Sequence, residues 1–408
     1  MRNAGVRCGT RPAVMGFRNM SAQRVSSLIA ALLLSSCAAP PAPVAPTVDA
    51  EPKPSQPAPP PPLRPLTSEE ERLRADLKAE CGELAELGPR SLAHSWNLHS
   101  ATDHLARKLE VLGYEVKRQG FPVADEVLQN LEVIVPGTKS PETVVVAAHY
   151  DSAGESLGAN ASASGAVALL AVAKGLVGKH FARGVRLVWL SNESGAEGLT
   201  GSAVYAAHAR RDRVPVVATL TLGSLGNYSV EYGSQRYPDD VLFGGDGRSP
   251  FGNFIGVVSN ASSNPLLEQL RPVLSVASLP VEELILPDQA PLAADGPQAR
   301  FWEAGLAGLV LTDTAQFRTP FPDGPGDTLD KVDFDRLARV TRLLETLVTA
   351  LADGLVPLPA PTEPAPELPA PGAPPGAQPA PPAAIGPGVL RPELPPLPPA
   401  PRKPAPPG

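Results

Sequence analysis

The fold is decided by VVVAAHYDSAGESLGANASASGAVALLAVAKGL, residues 144–176, and by RGVRLVWLSNESGAEGLTGS, residues 183–202. Val144 to Ala148 is an unbroken apolar run of strand length, the pattern of a strand buried on both faces. It ends in His149-Tyr150-Asp151. A Gly/Ser/Asn loop follows, then an Ala/Leu-rich helical pattern from about Ala163 to Leu176. Val185 to Leu190 reads as a second buried strand, tipped by Ser191-Asn192-Glu193. Strand, polar tip, helix, strand, polar tip is a βαβ unit, and open α/β sheets place their sites at such strand ends.

The flanking sequence continues the alternation. Ser68 with Glu71 gives a capping-box pattern, opening a helix with Leu73, Leu77, Cys81 and Leu84 on one side. Cys81 is thus expected as a small core residue and not as a nucleophile. A helix is expected over about Ser100–Leu112, ended by Gly113; a strand begins at Tyr114-Glu115-Val116, and another covers Asn130–Val135. Beyond the βαβ unit come a helix near Gly201–Arg210 and a strand at Val216–Leu222. Residues 228–250, rich in Gly, Asp and Tyr, read as an excursion over the sheet edge. Phe254–Val258, Glu282–Leu286 and Leu306–Leu311 are strand-like, Pro265–Leu274 is helical, and a last helix spans Phe334–Ala352. The expectation is an α/β fold with a mixed, mostly parallel sheet and helices on both faces.

Of 408 residues 51 are proline, gathered at the two ends. The interval 66–355 has an ordinary apolar content and, at roughly 290 residues, suits one large domain. A formal net charge of −7 provides no basic face and argues against a nucleic-acid partner. Near the start, Arg18 and Arg24 precede Leu28-Ile29-Ala30-Ala31-Leu32-Leu33-Leu34, too short for a permanent span and suited to a signal peptide. The run ends in Leu34-Ser35-Ser36-Cys37, which resembles a bacterial lipobox, so residues 1–37 read as a lipoprotein signal with Cys37 as the lipidated residue. Starts at Met15 or Met20 give a leader of more usual length. Ala38-Ala39 lacks an Asp-type retention signal, which favours the outer membrane. With Cys8 and Cys37 in the leader, Cys81 is the one thiol of the mature domain, so no internal disulfide is expected. Residues 38–65 form a Pro/Ala-rich linker that would reach roughly 80–90 Å if extended. Residues 356–408 form a similar proline-rich tail.

Several ordered motifs resemble the zinc aminopeptidases of the bacterial leucyl aminopeptidase, aminopeptidase S and aminopeptidase Y type, relatives of glutaminyl cyclases. They include Leu87-Gly88-Pro89-Arg90, Ala148-His149-Tyr150-Asp151-Ser152 and Gly158-Ala159 with Ala163-Ser164-Gly165. Glu197-Gly198-Leu199-Thr200-Gly201-Ser202, Phe301-Trp302-Glu303-Ala304-Gly305, Leu311-Thr312-Asp313-Thr314-Ala315 and Asp327-Thr328-Leu329-Asp330-Lys331 follow in register. The resemblance spans about Leu87 to Val348. It implies a three-layer α/β/α sandwich and two zinc ions held by His and carboxylates, with a metal-bound water as nucleophile.

The family's ligand positions are largely altered in this chain. His149 and Asp151 stand where the first motif wants a ligand and its supporting carboxylate. The bridging aspartate position falls on Ala161, the adjacent glutamates on Gly195 (the general base) and Ala196, a further aspartate on Gly223, and the last histidine on Asp323. No histidine follows His208. Open catalytic zinc sites need about three protein ligands per metal. The resemblance thus implies a degenerate member, with no resident cofactor expected: a pseudopeptidase that binds a peptide, an envelope protein or a peptidoglycan-associated ligand and is held to lipid through Cys37. The alternative is an active aminopeptidase with a rebuilt single-zinc site on His149, Asp323 and Glu193, with Glu197 and Asp295 on nearby loops. Ser162 or Ser164 paired with His149 is a further nucleophile option, though no G-x-S-x-G elbow is present. His94, His99, His104, His180 and His208 lack ligand spacing and read as surface or capping residues.

Overall fold

The computed structural model describes residues 57–194, 198–237, 242–243, 248–288, 296–319 and 323–354. The leader with Cys37, most of the linker, the tail 356–408, and Gly195, Ala196, Glu197 and Asp295 lie outside the described residues.

The chain opens with α1 (Ser68–Glu86) and α2 (Ser95–Val111), then β1 (Lys117–Val123) and β2 (Glu126–Val135). The βαβ unit follows as β3 (Thr143–His149), α3 (Ser164–Leu176) and β4 (Gly184–Leu190). After it come α4 (Gly201–Arg211), β5 (Val216–Leu222), the two-residue β6 (Leu242–Phe243), β7 (Ile255–Asn260) and α5 (Asn264–Leu274). The chain continues with β8 (Val281–Leu286), α6 (Gly296–Glu303), β9 (Gly308–Thr312) and α7 (Phe334–Ala352).

These strands form one nine-stranded sheet in the order β1-β2-β4-β3-β5-β9-β7-β8-β6. The central β4, β3, β5 and β9 run parallel, so the tips of all four open on one edge. Strands β1, β2 and β7 join by antiparallel pairing, and β6 pairs antiparallel with β8. The mixed α/β sheet expected from the sequence is present, its parallel character concentrated in the centre.

Alternation along β3 builds two cores. Val144, Val146 and Ala148 join the main cluster with Leu77 of α1, Leu169 of α3 and Leu344 of α7. Val145 and Ala147 face the opposite cluster, with Tyr205 and Ala206 of α4 and Phe301 of α6. Each valine, leucine or phenylalanine so buried contributes about 1.5–3 kcal/mol. Glycine sets the close approaches: a Cβ on Gly165 of α3 would stand 3.0 Å from Gly223 O at the tip of β5.

Three expectations are corrected. The first capping box lies one residue earlier: Thr67 is the N-cap, with Glu70 N donating to its hydroxyl and Thr67 N to the Glu70 carboxylate. Residue 67 wins because it is extended, at φ −73° and ψ 161°, whereas Ser68 already has a helical place. The strand expected to begin at Tyr114-Glu115-Val116 begins at Lys117, since Tyr114 N still donates to Leu109 O at the end of α2. The packed chain also starts inside the stretch assigned to the linker. Leu63 rests on the main core, the Arg64 guanidinium grips Glu70 at 2.7 Å, and Arg339 of α7 donates to Arg64 O.

Arg64 holds the Glu70 carboxyl down at about 2 from an ordinary 4.5, with burial opposing and Thr67 assisting. That pairing stabilises the fold above about pH 4.5 and is lost as pH falls toward 2. Glu70→Gln is expected to cost about 1–3 kcal/mol at pH 7, and its deficit against wild type, read by denaturant melts, should close between pH 4.5 and 2. Burial pushes the Cys81 thiol up to about 12; it donates to Ala159 O. It should therefore resist thiol reagents at pH 8 until the chain is unfolded.

Candidate functional site

The parallel strand tips carry the site. His149 ends β3 and pairs in register with Leu190, the last residue of β4. Asp151 then turns inward with 2 % of its side chain exposed. Its Oδ2 accepts from Glu193 N at 2.9 Å and Ser194 N at 2.7 Å, fastening the β4 exit loop beside β3. Its Oδ1 faces His149 Nδ1 at 3.6 Å. Ser194 Oγ lies 3.4 Å from the same nitrogen.

That crowding on one ring nitrogen matters. A nucleophile–histidine–carboxylate relay needs its two partners on opposite ring nitrogens. Here the hydroxyl and the carboxylate share Nδ1, so Ser194 is not a relay nucleophile. Ser162 and Ser164, the sequence candidates, are engaged elsewhere. Ser162 Oγ donates to Gly158 O and accepts from Arg90, while Ser164 Oγ donates to Asn160 O and accepts from Leu225 N.

Glu193 is partly buried and committed to backbone. Oε1 accepts from Ser202 N at 2.6 Å and Oε2 from Ser202 Oγ at 2.9 Å, at the first turn of α4. Burial, then the charge of Asp151, pushes its carboxyl up to about 7. For His149 burial works against protonation, but contact with Asp151 and the charges of Asp151, Glu193 and Asp323 outweigh it and raise its pKa. Asp323, at the last-histidine position, is exposed and within electrostatic reach of His149. The site therefore gathers His149, Asp151 and Glu193, with Asp323 at its margin.

Ala161 and Gly223 are built into the packing. Ala161 is 7 % exposed, inside the π-helical turn Ala159–Ala163 that leads into α3. Asp327 holds this turn: its Oδ1 accepts from Asn160 N at 2.7 Å and its Oδ2 from Ala161 N at 2.9 Å. Asp313, past the tip of β9, accepts from Asn160 Nδ2, Asn227 N and Ala315 N. Burial raises the pKa of both carboxyls despite these donors. At Gly223 a Cβ would meet Thr312 Cβ and Oγ1, each at 3.3 Å. The frame of the next loop is equally tight: a Cβ on Gly201 would fall 2.1 Å from Asn130 Oδ1.

These donors do not fit a paired-zinc centre. Ala161 and Gly223 offer no side-chain ligand, and both Glu193 oxygens bind Ser202. Among the described residues, no three His, Cys, Asp or Glu ligand atoms converge at His149.

The sequence motifs gave no role to Arg90, Asn160, Asp313, Asp327 or Ser202, which hold the site together. Four of them lie inside quoted motifs, where their proximity to the strand ends was the available signal.

A mixed sheet between two helical layers, with its polar loops at the carboxyl ends of parallel strands, defines a zinc-exopeptidase-like α/β/α protein. The chain belongs to peptidase family M28, whose model matches residues 130–348. Among relatives, it is 28 % identical over 273 residues to the uncharacterized protein YfbL of Escherichia coli strain K12, covering 64 % of this chain and 82 % of that one. The structure of LapB from Legionella pneumophila aligns at a TM-score of 0.55 and 16 % identity, covering 73 % and 78 % of the two chains. Fimbriiglobus ruber glutaminyl cyclase aligns at 0.50 and 17 %, covering 72 % and 99 %. At such identities the likeness is one of fold.

The raised Glu193 pKa has a sign. The folded chain keeps a proton that the unfolded chain loses near 4.5, so this contribution to stability is full below 4.5 and is lost as pH rises through about 7. Glu193→Gln, which keeps the contacts to Ser202, should flatten the fall in melting temperature between pH 5 and 8.

Proposed function

We propose that this M28 protein works by binding and not by hydrolysis. The observation that carries the reading is the pair Ala161 and Gly223: family ligand positions with no side-chain donor, one in a turn held by Asp327 and the other packed closely against Thr312. In sequence, Gly195 and Ala196 likewise remove the base and a ligand. Without its ligand set zinc has nothing with which to exchange its water shell, and a lost general base alone removes about 10²–10⁴ in rate. The strand tips present His149, 13 % exposed, with Asp323 exposed at the margin, as polar groups to meet a peptide, an envelope protein or a peptidoglycan-associated ligand. The lipobox-like Leu34-Ser35-Ser36-Cys37 and the proline-rich linker support a lipid-anchored place in the bacterial envelope, on the outer membrane.

A second reading, an aminopeptidase with one zinc on His149, Asp323 and Glu193, draws on the nearness of Asp323 to His149. Against it stand the two bonds from Ser202 that occupy Glu193.

Purified protein is expected to hold no zinc that depends on His149 and to release no amino acid from aminoacyl-nitroanilides above background. His149→Ala should leave both values unchanged. Turnover and bound zinc that disappear together in His149→Ala would overturn the binding reading.

A further inference from the structure

The arm that leads into α1 is docked in a pattern of its own. Residues 57–66 belong to no helix or strand, and among them Pro60, Leu63 and Leu66 are partly buried while the others are exposed. Burial at every third residue fits a polyproline II helix laid on a surface, since that helix has three residues per turn. Leu63 rests on the main core. Arg64 reaches Glu70 with both terminal nitrogens, each 2.7 Å from a carboxylate oxygen, and Arg339 donates to Arg64 O. The receiving groups are fixed by the domain itself. The Glu70 side chain is 5 % exposed and also accepts from Thr67 N and Ser278 Oγ. Arg339 is 3 % exposed and donates to Ser278 O.

The sequence holds a second copy of what this seat receives. The arm reads Pro60-Pro61-Pro62-Leu63-Arg64-Pro65, and the proline-rich tail contains Pro387-Gly388-Val389-Leu390-Arg391-Pro392. Both fit Pro-x-x-Leu-Arg-Pro, a pattern that occurs at these two places in the chain. Its proline and leucine are three residues apart, the spacing that sets Pro60 and Leu63 on one face of the arm. A third Leu-Arg-Pro, Leu270-Arg271-Pro272, lacks the leading proline and lies in α5 with Leu270 buried, so it is not free to dock. The match ends at Glu393, where the arm instead has Leu66 and passes into the cap of α1. The tail is also long enough. Roughly thirty residues separate Gly354 from Pro387, and at about 3.1 Å each they would extend about 90–100 Å, more than the diameter of a domain of this size.

We propose that Glu70, Ser278 and Arg339 form a binding seat for Pro-x-x-Leu-Arg-Pro, filled at rest by the N-terminal arm and taken by residues 387–392 of the chain's own tail when the arm is drawn off. Arg391 replaces Arg64 on the Glu70 carboxylate, and Leu390 replaces Leu63 on the core. A proline-rich ligand loses little conformational freedom on docking, which favours so short a contact. The arm holds the seat at rest because it is joined directly to the helix it docks on, and its effective concentration there exceeds that of the distant tail. A pull on the linker ahead of Pro60 reverses that advantage.

The test is fluorescence anisotropy of a labelled peptide of residues 384–397 titrated with the purified full chain, each variant checked for folding by circular dichroism. Arg64→Ala, at a side chain 47 % exposed, should open the seat and bind the peptide at least tenfold more tightly than wild type; Arg64→Gln serves in its place if Arg64→Ala does not fold. Adding Arg391→Ala, which removes the chain's own tail as competitor, should tighten binding at least threefold further. In that double variant, Glu70→Gln should weaken binding at least fivefold, as should alanine for the arginine of the peptide, and His149→Ala should change nothing. Wild type binding as tightly as Arg64→Ala, no gain from Arg391→Ala, or affinity indifferent to Glu70 or to the arginine of the peptide overturns the proposal and leaves the reading of the strand-end site standing. Binding lost with His149→Ala also overturns it, by placing the peptide at the strand tips.

Discussion

A guanidinium sealed inside a protein has five N–H donors to satisfy, and leaving them bare is costly. Arg90 is wholly buried and meets this demand almost entirely with carbonyls. It donates to Tyr150 O after β3, Leu84 O near the end of α1, Gly88 O, and Leu157 O and Gly158 O before the π-helical turn. Its sixth bond goes to Ser162 Oγ. Burial brings its pKa down to about 10, still far above neutrality, so the charge stays. One side chain thus joins the first helix, the first catalytic-type strand tip and the loop that approaches it. The loop can come this close because Gly158 has φ +57°, and a Cβ there would sit 2.7 Å from Ser152 Cβ and 2.9 Å from Arg90 Nη2.

The acidic side chains around the strand tips share a property. Asp151 holds the β4 exit, Glu193 holds the start of α4, Asp327 holds the π-helical turn, and Asp313 holds the loop after β5. Each binds backbone N–H groups whose loss would leave buried donors unpaired. The positions without an acid, Ala161 and Gly223, sit where backbone is already satisfied or close-packed. A carboxylate with structural work is retained by the fold's own energetics, whether or not any ion is bound.

Much of the fold was legible because strong patterns were also isolated ones. Val216–Leu222 and Phe334–Ala352 match β5 and α7 residue for residue, since continuous apolar runs and 3.6-residue periodicity both ended at clear stops. Lys117–Val123 was hidden: KRQGFPV carries no alternation because the strand lies on the sheet edge, and its order comes from β2. Helix α6 was unread because its eight residues make little more than two turns around Phe301. At the site, motif spacing placed His149 and Asp151 correctly on a strand tip. The contributions of Arg90 and Asp327 were not legible, because they reach across 60 and 167 residues of chain to meet their partners.

The contact at Gly223 shows how narrow the tolerance at the strand tips is. A side chain begun there would set its Cβ 3.3 Å from Cβ and Oγ1 of Thr312 on the neighbouring strand β9. Thr312 would have to yield by a few tenths of an ångström for any residue larger than glycine. The volume available at one strand tip is therefore set by the side chain of the next, and the two positions are coupled in the substitutions they accept.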